Sequence, residues 1–377
     1  MTRKVVAIVA LVLLFSLSTG CWNRREIETL GFVVAVGVDT SLGATHWESP
    51  DVDGDSMPRM QCTVQIVKPS AVVSGERSQT LERPFWAVSA TGRTILECIR
   101  NLSEVSPRIL YWPHNRWFLI GEEYAKGGVT RVLDLMERDQ ETRRRTAILV
   151  VMGGRAWDVL QTEFELERTP SEAGRGIVSN ASGRFSTVAV ATVNDFLVTL
   201  ASEGIDPVAM CVEVIPYTFP YEITGDVVRE GVKATARLSG AAVFRSDKLV
   251  GWLDGREARG YNWVVGKVKS AVLVVDAPQS SVELDPSASL IGLEIIRSKG
   301  AFRPRITDDG RRIGMEVKIS AEANIADVQP YIDSYSDAEL WTSLEQRLEE
   351  AIKSEAMAAI RKAQELRADI FGFGREV

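Results

Sequence analysis

One apolar run sets the terms on which this chain can fold. From Val5 to Leu17 every residue is apolar except Ser16, with Arg3 and Lys4 before the run and Ser18-Thr19-Gly20 leading into Cys21 after it. A helix needs about 20 apolar residues to cross the hydrocarbon of a bilayer, so this run is too short to span. Basic residues on its N-terminal side alone are the layout of an export signal. No second apolar run of spanning length follows. The rest of the chain must therefore bury its hydrophobic residues within a water-facing fold, beyond the membrane that the signal targets.

Residues Leu17-Ser18-Thr19-Gly20-Cys21 resemble a bacterial lipobox, in which the thiol receives a diacylglyceryl group and the signal is cut just before it. The leucine stands one position further from the cysteine than is usual in that motif, with Ser18 in its place. Residues 1–20 are thus expected to be a lipoprotein signal peptide and Cys21 the lipid attachment site, at the outer face of a membrane. The alternative is an ordinary signal peptide with a chance cysteine at its cleavage point. One acyl chain holds a protein only marginally; with about 0.8 kcal/mol per buried CH₂, two chains hold it durably.

With 377 residues, 45% of them hydrophobic and 25% charged, the remainder is long enough for two or three ordinary domains. A net charge of −7 supplies no global basic field for nucleic acid. Once Cys21 is assigned to the lipid, Cys62, Cys98 and Cys211 remain. Their number is odd and no C-x-x-C spacing occurs, so buried free thiols are expected in place of disulfides or a zinc site.

Along the chain, Gly31 to Asp39 is a short apolar run that predicts a buried strand. Ser41 to Arg59, rich in Ser, Gly, Asp and Pro, predicts a loop before a second strand at Gln61 to Val67. Thr91 is the expected cap of a helix with Ile95, Cys98, Ile99 and Leu102 on its apolar side. Val129, Val132, Leu133 and Met136 repeat that spacing, and strands are expected at Trp117 to Gly121 and Thr146 to Met152. Pro170 to Ser186 is expected to be exposed and irregular, ahead of a helix at Val193 to Ser202 and a strand at Ala209 to Ile215. Ala241 to Trp252 has two apolar arms around Ser246-Asp247-Lys248, a hairpin pattern. Further strands are expected at Ala271 to Val275, Ile291 to Ile295 and Met315 to Ile325, the last alternating strictly. Ala338 to Ile370 carries Trp341, Leu344, Leu348, Ile352, Ala359, Ala363, Leu366 and Ile370 as one long amphipathic helix. Its polar face mixes both charge signs, which favours packing on a sheet over a membrane surface. The expected class is multi-domain α+β: mixed sheets with packed helices, then a C-terminal antiparallel sheet with the long helix. Its divisions are 21–195, an N-terminal α/β region, 196–235, a connecting region, and 236–377, a C-terminal α+β domain.

Local signatures of chemistry are missing: no G-x-S-x-G, S-x-x-K, H-E-x-x-H, Walker loop or G-x-G-x-x-G occurs. The two histidines are His46, in a polar stretch, and His114, in Tyr111-Trp112-Pro113-His114-Asn115, so a three-histidine metal site cannot form. His114 is expected to be a structural hydrogen-bonder, and Tyr111, Trp112 and Trp117 to pack in a core or interface. Neither an enzyme nor a bound cofactor is expected. Carboxylates are abundant enough for an envelope hydrolase to hide a catalytic pair, and a solute-binding lipoprotein of an import system would share the anchor and the α/β build.

Several segments together resemble the Ger(x)C family, the lipoprotein C subunits of nutrient germinant receptors in spore-forming bacteria. They are Cys21 to Glu28, Ser103 to Asn115, Ala201 to Pro207, Asp247 to Leu253, Arg259-Gly260, Gly266 to Lys269, Leu293 to Lys299 and Asp369 to Gly374. Their order runs through almost the whole chain after Cys21. The resemblance implies a non-catalytic assembly or signalling module in the inner membrane of the spore, beside two integral membrane partners, the A and B subunits, with germinant binding assigned mainly to B. It also implies a Trp-containing stretch and a closing strand beyond Phe-Gly-Phe-Gly; with Val377 as its last residue, the C-terminal domain is expected to lack that strand.

Overall fold

The computed structural model describes residues 26–41, 60–68, 83–162, 164, 167, 169–224, 227–277, 290–306, 313–329 and 338–377, with positions 3 and 5; for 217–224 and 227–233 it describes backbone only. The expected loop from Ser41 to Arg59 lies outside the described residues apart from Ser41 itself.

The run Gly31–Asp39 forms the heart of β1 (Leu30–Thr40). On one edge β1 pairs antiparallel with β2 (Met60–Val67), which pairs antiparallel with β3 (Phe85–Gly92). On its other edge β1 runs parallel to the short β4 (Ile109–Tyr111) and to β5 (Trp117–Gly121), with Val38 opposite Ile120. Parallel pairing continues to β6 (Ala147–Val151) and β7 (Val208–Thr224), then antiparallel to β8 (Val227–Arg245) and β9 (Lys248–Leu253). The result is one nine-stranded mixed sheet. All five residues of β5 are buried, which is why this strand is an unbroken apolar run: helices cover both faces of the parallel centre.

Helix α1 (Ile95–Val105) buries Ile95, Cys98 and Leu102 as its spacing predicts, but its cap is Thr94, not Thr91. Thr94 Oγ1 accepts from Glu97 N–H at 3.1 Å, and the Glu97 carboxylate accepts from Arg93 N–H at 2.8 Å. Thr91 instead pairs with Gln61 in β3, a strand that the sequence pattern did not reveal. Two short helices were likewise not foreseen, α2 (Glu122–Gly127) and α4 (Ala156–Gln161). Between them, α3 (Thr130–Arg138) buries Val132, Leu133 and Met136.

Pro170–Ser186 is not irregular. It forms α5 (Pro170–Asn180), continued by a π-helical turn over Ala181–Phe185. Thr169 caps the helix and Pro170 presets φ at its first position. Gly174, which suggested a loop, lies against the Trp117 ring where a Cβ would not fit. Helix α6 (Val193–Leu200) follows as expected, opened by a Thr192–Asp195 capping box. β7 runs well beyond Ile215, through Pro216 and Pro220. Past Val212 it no longer has β6 beside it, and prolines are tolerated on such an edge.

The hairpin of β8 and β9 turns at Ser246-Asp247, with Ser246 left-handed at φ 55°. Helix α7 (Gly255–Val264) then leads to a three-stranded antiparallel sheet of β10 (Ala271–Asp276), β11 (Leu290–Ile306) and β12 (Ile313–Val328). The long helix α8 (Ala338–Leu366) packs Leu340 and Leu344 against Val275, Ile291 and Leu293, and Ile352 against Trp263 and Ile295. It ends four residues before Ile370: Arg367 turns left-handed at φ 53°, and Ile370 and Phe371 are buried as part of the turn that follows. Trp341, expected on the apolar stripe, is 43% exposed.

Candidate functional site

In open α/β sheets, ligands usually bind beyond the carboxyl ends of the parallel strands. Here that crevice is filled by the chain itself. Asp39, at the end of β1, is buried, and its carboxylate accepts from the N–H groups of Ala156 at 2.8 Å and Trp157 at 3.1 Å. These are the unpaired donors at the start of α4, the feature that elsewhere receives a ligand's anion. Burial pushes the Asp39 acid above its ordinary range, while the two backbone hydrogen bonds and nearby Arg155 pull it back. Gly121 passes so close to this carboxylate that a Cβ would collide with it.

Three of the segments singled out in the sequence meet at the β8–β9 turn. Asp247 Oδ2 accepts from Thr130 Oγ1 at 2.7 Å and from Thr130 N–H at 3.3 Å, and its carbonyl accepts from Val129 N–H at 3.0 Å, so it caps α3 from 117 residues away. Asp206, in the Ala201–Pro207 segment, accepts from Ser246 N–H and from Asp369 N–H, both at 2.8 Å. Asp369 in turn accepts from the N–H groups of Gly372, Phe373 and Gly374 at 2.9, 3.0 and 2.6 Å. Gly204 and Gly374 touch backbone to backbone, and the left-handed φ of 71° at Gly204 requires a residue without a Cβ. Each carboxylate is thus committed to donors within the fold, all of them backbone N–H groups except Thr130 Oγ1.

The segments Arg259-Gly260 and Gly266–Lys269 have equally internal roles. Arg259 forms a bidentate ion pair with Glu355 of α8; its Nε lies 2.9 Å from Glu355 Oε2, which also accepts from Trp263 Nε1 at 2.9 Å. Gly260 lets α7 approach the carbonyl of Glu355 and the Ala359 Cβ more closely than any side chain would allow. Gly266, left-handed at φ 69°, lies against the backbone of Gly300, and Ser298 Oγ donates to the Val268 carbonyl at 2.8 Å.

Cys62, Cys98 and Cys211 are buried free thiols, and burial pushes Cys98 and Cys211 up to about 12. Trp112 and Trp117 are buried, whereas His114 is exposed and sits edge-on to Phe32 at 5.4 Å. Cys21 and His46 lie outside the described residues. Among the described residues no group of three or more His, Cys, Asp or Glu could hold a metal. The cluster that sequence reasoning missed is basic: Arg116 and Arg175 join Arg143 and Arg145 around one cleft. Only the run Arg143-Arg144-Arg145 hinted at it.

The comparisons with known proteins agree with this distribution of motifs. Residues 23–214 match the family model of the spore germination protein N-terminal domain, and residues 239–377 that of the spore germination B3/GerAC-like C-terminal domain. Spore germination protein KC of Bacillus subtilis is 25% identical over 99% of this chain and 87% of its own length. Spore germination protein B3 of the same organism is 24% identical over 89% of this chain and 79% of its own. A crystal structure of the GerBC protein is similar over 83% of this chain and 80% of that one, at 20% identity and a TM-score of 0.43. With both models matched in order over most of its length, this chain belongs to the GerAC-like family of spore germination proteins.

Proposed function

We propose that this protein is the lipid-anchored extracytoplasmic subunit of a nutrient germinant receptor, a non-catalytic module of assembly and signalling beside two integral membrane subunits, A and B, in the inner membrane of the spore. The observation that carries this reading is the reach of the two family models, 23–214 and 239–377, which begin just after Cys21. Among the described residues no helix is long and apolar enough to cross a membrane, and attachment through a lipid on Cys21 is compatible with that. Asp206, Asp247 and Asp369 of the family-like segments cap backbone, and Arg259 is held in a buried ion pair with Glu355, all of which serves shape. The two sheets, of nine and three strands, are unlike each other, which argues against the paired similar lobes of a solute-binding lipoprotein.

The test is a pull-down of the tagged chain from spore membranes, run beside Cys21→Ala. Recovery of two multi-span proteins with the wild type, and loss of the variant from membranes after a high-salt wash, is the expected result. A wild-type chain that brings down no multi-span protein overturns the receptor reading. A variant that stays in the membrane overturns the lipid anchor.

A further inference from the structure

The end of the sheet opposite Asp39 concentrates charge that the fold does not use. A cleft of about 490 Å³ opens between the turn at Pro113–Arg116, the residues leading into β6, and one side of α5. Arg116, Arg143, Arg145 and Arg175 line it, and no carboxylate does. All four arginines are exposed, and among the described residues no side-chain hydrogen bond or ion pair engages any of them. Arg144, between two of them in sequence, is by contrast paired with Glu137 at 3.5 Å. In a chain of net charge −7, this is a local reversal of sign. Like charges held together repel unless a counter-charge joins them.

The cleft is held in place by the main chain. Thr146 Oγ1 donates to the Asn115 carbonyl at 3.1 Å, Arg116 N–H to the Val34 carbonyl at 3.0 Å, and Ala147 N–H to the Arg116 carbonyl at 2.9 Å. Arg116 and Arg145 thereby lead into neighbouring parallel strands, one residue before Trp117 and two before its partner Ala147. One amide side chain also borders the cleft. Asn115, which also lines the cleft, is only 6% exposed, and its Oδ1 is buried with no partner. Nor does its side chain make any other hydrogen bond among the described residues. Its NH₂ has no protein partner among them and reaches solvent, a donor on the wall of a cleft lined by four arginines.

We infer that this cleft binds a phosphate group. A guanidinium presents a planar fork of donors that matches phosphate oxygens in bidentate fashion. A lone carboxylate occupies one such fork, whereas the several oxygens of a phosphate engage more than one, and Asn115 adds a neutral donor. The volume is more than a bare phosphate fills, so the cleft also admits part of what carries the group, against the apolar wall of Trp117, Pro113 and Val178. The phosphate can belong to a phospholipid headgroup or to a soluble compound. This inference does not depend on the receptor reading.

The test is titration calorimetry of the full-length chain in neutral detergent. One arm uses inorganic phosphate, and another uses dihexanoyl phosphatidylglycerol below its micelle concentration. Dihexanoyl phosphatidylcholine, a phosphate whose charge is cancelled by its own ammonium, is the control. Saturable binding of phosphate and of the anionic lipid identifies the group itself as the ligand; binding of the anionic lipid alone identifies a headgroup. In either case Arg175→Gln, and the pair Arg143→Gln with Arg145→Gln, should weaken binding roughly tenfold or more per arginine. These residues are exposed, so the variants should keep the wild-type melting curve. The inference is overturned if neither probe binds, or if binding survives in the arginine variants.

Discussion

Asp206 and Asp369 hold each other from both directions: Asp206 N–H donates to the Asp369 carbonyl at 2.8 Å, and Asp369 N–H donates to Asp206 Oδ2 at 2.8 Å. Around them the last residues of the chain are fastened to the segment before β7 and to the β8–β9 turn. Asp369→Ala removes the acceptor for three backbone donors and should lower stability by roughly 1–3 kcal/mol. Asp206→Ala should cost about the same. Because the two residues share one network, their effects should not add: a double-mutant cycle in urea should give a coupling energy of about 0.5–3 kcal/mol. Full additivity would show that the two carboxylates act separately.

The Arg259–Glu355 pair is buried, with side chains 15% and 5% exposed. Removing one partner of such a pair strands the other charge and should cost about 3–5 kcal/mol, whereas replacing both with apolar residues of similar volume costs far less. Arg259→Met and Glu355→Leu should each destabilise the protein strongly, and the double variant should recover most of the loss. Denaturant midpoints of the three variants decide the matter; a double variant as weak as the sum of its parts would mean that the charge pair is not the unit of stability.

Asp39 makes a prediction about pH. Its acid is raised above the ordinary 3.8 by burial, so the fold binds the proton more tightly than the unfolded chain does. Its contribution to stability is therefore full below the unfolded value and falls as pH rises through the folded one. Asp39→Asn, which does not titrate, should remove that decline. Unfolding free energies of both proteins from pH 3.5 to 6 should show the wild type losing ground to Asn as pH rises. A difference that is flat, or that grows the other way, would mean that the two N–H donors of α4 outweigh burial.

The three thiols should be inert in the folded protein. Cys62, Cys98 and Cys211 are buried and their acidities are suppressed, so little thiolate exists at neutral pH. In the Cys21→Ala background, an aromatic disulfide reagent should titrate none of them natively and all three in guanidinium. Rapid native labelling of any one would contradict its burial.

Periodicity made the core legible where an element is long enough to repeat its apolar face, and missed the six-residue α4, which buries Ala156, Val159 and Leu160. Ile95, Cys98 and Leu102, Val132, Leu133 and Met136, and the alternating residues of β12 all carry such a stripe. It failed where a partner distant in sequence decides the outcome. β3 has no clean alternation and exists because β2 offers it eight paired positions. Helix α5 was obscured by glycines, one of which is required by the Trp117 ring. The same limit applies to sites. The segments around Asp206, Asp247, Arg259 and Asp369 stood out in the sequence, but that three of them converge on one turn is a property of the fold. The arginine cleft was invisible for the same reason, because Arg116 and Arg175 are 59 positions apart and only tertiary structure makes them neighbours of Arg143 and Arg145.

The aspartate joint has a consequence for timing. Its contacts link residues 163 positions apart, and such contacts close late because a long loop must first be gathered. The bonds between Asp206 and Asp369 cannot form until the final nine residues of the 377 are available, and α3 has no cap until Asp247 arrives. A polypeptide threaded outward head first through a narrow channel, as an export signal at residues 1–20 would direct, thus cannot close this joint until its tail is through.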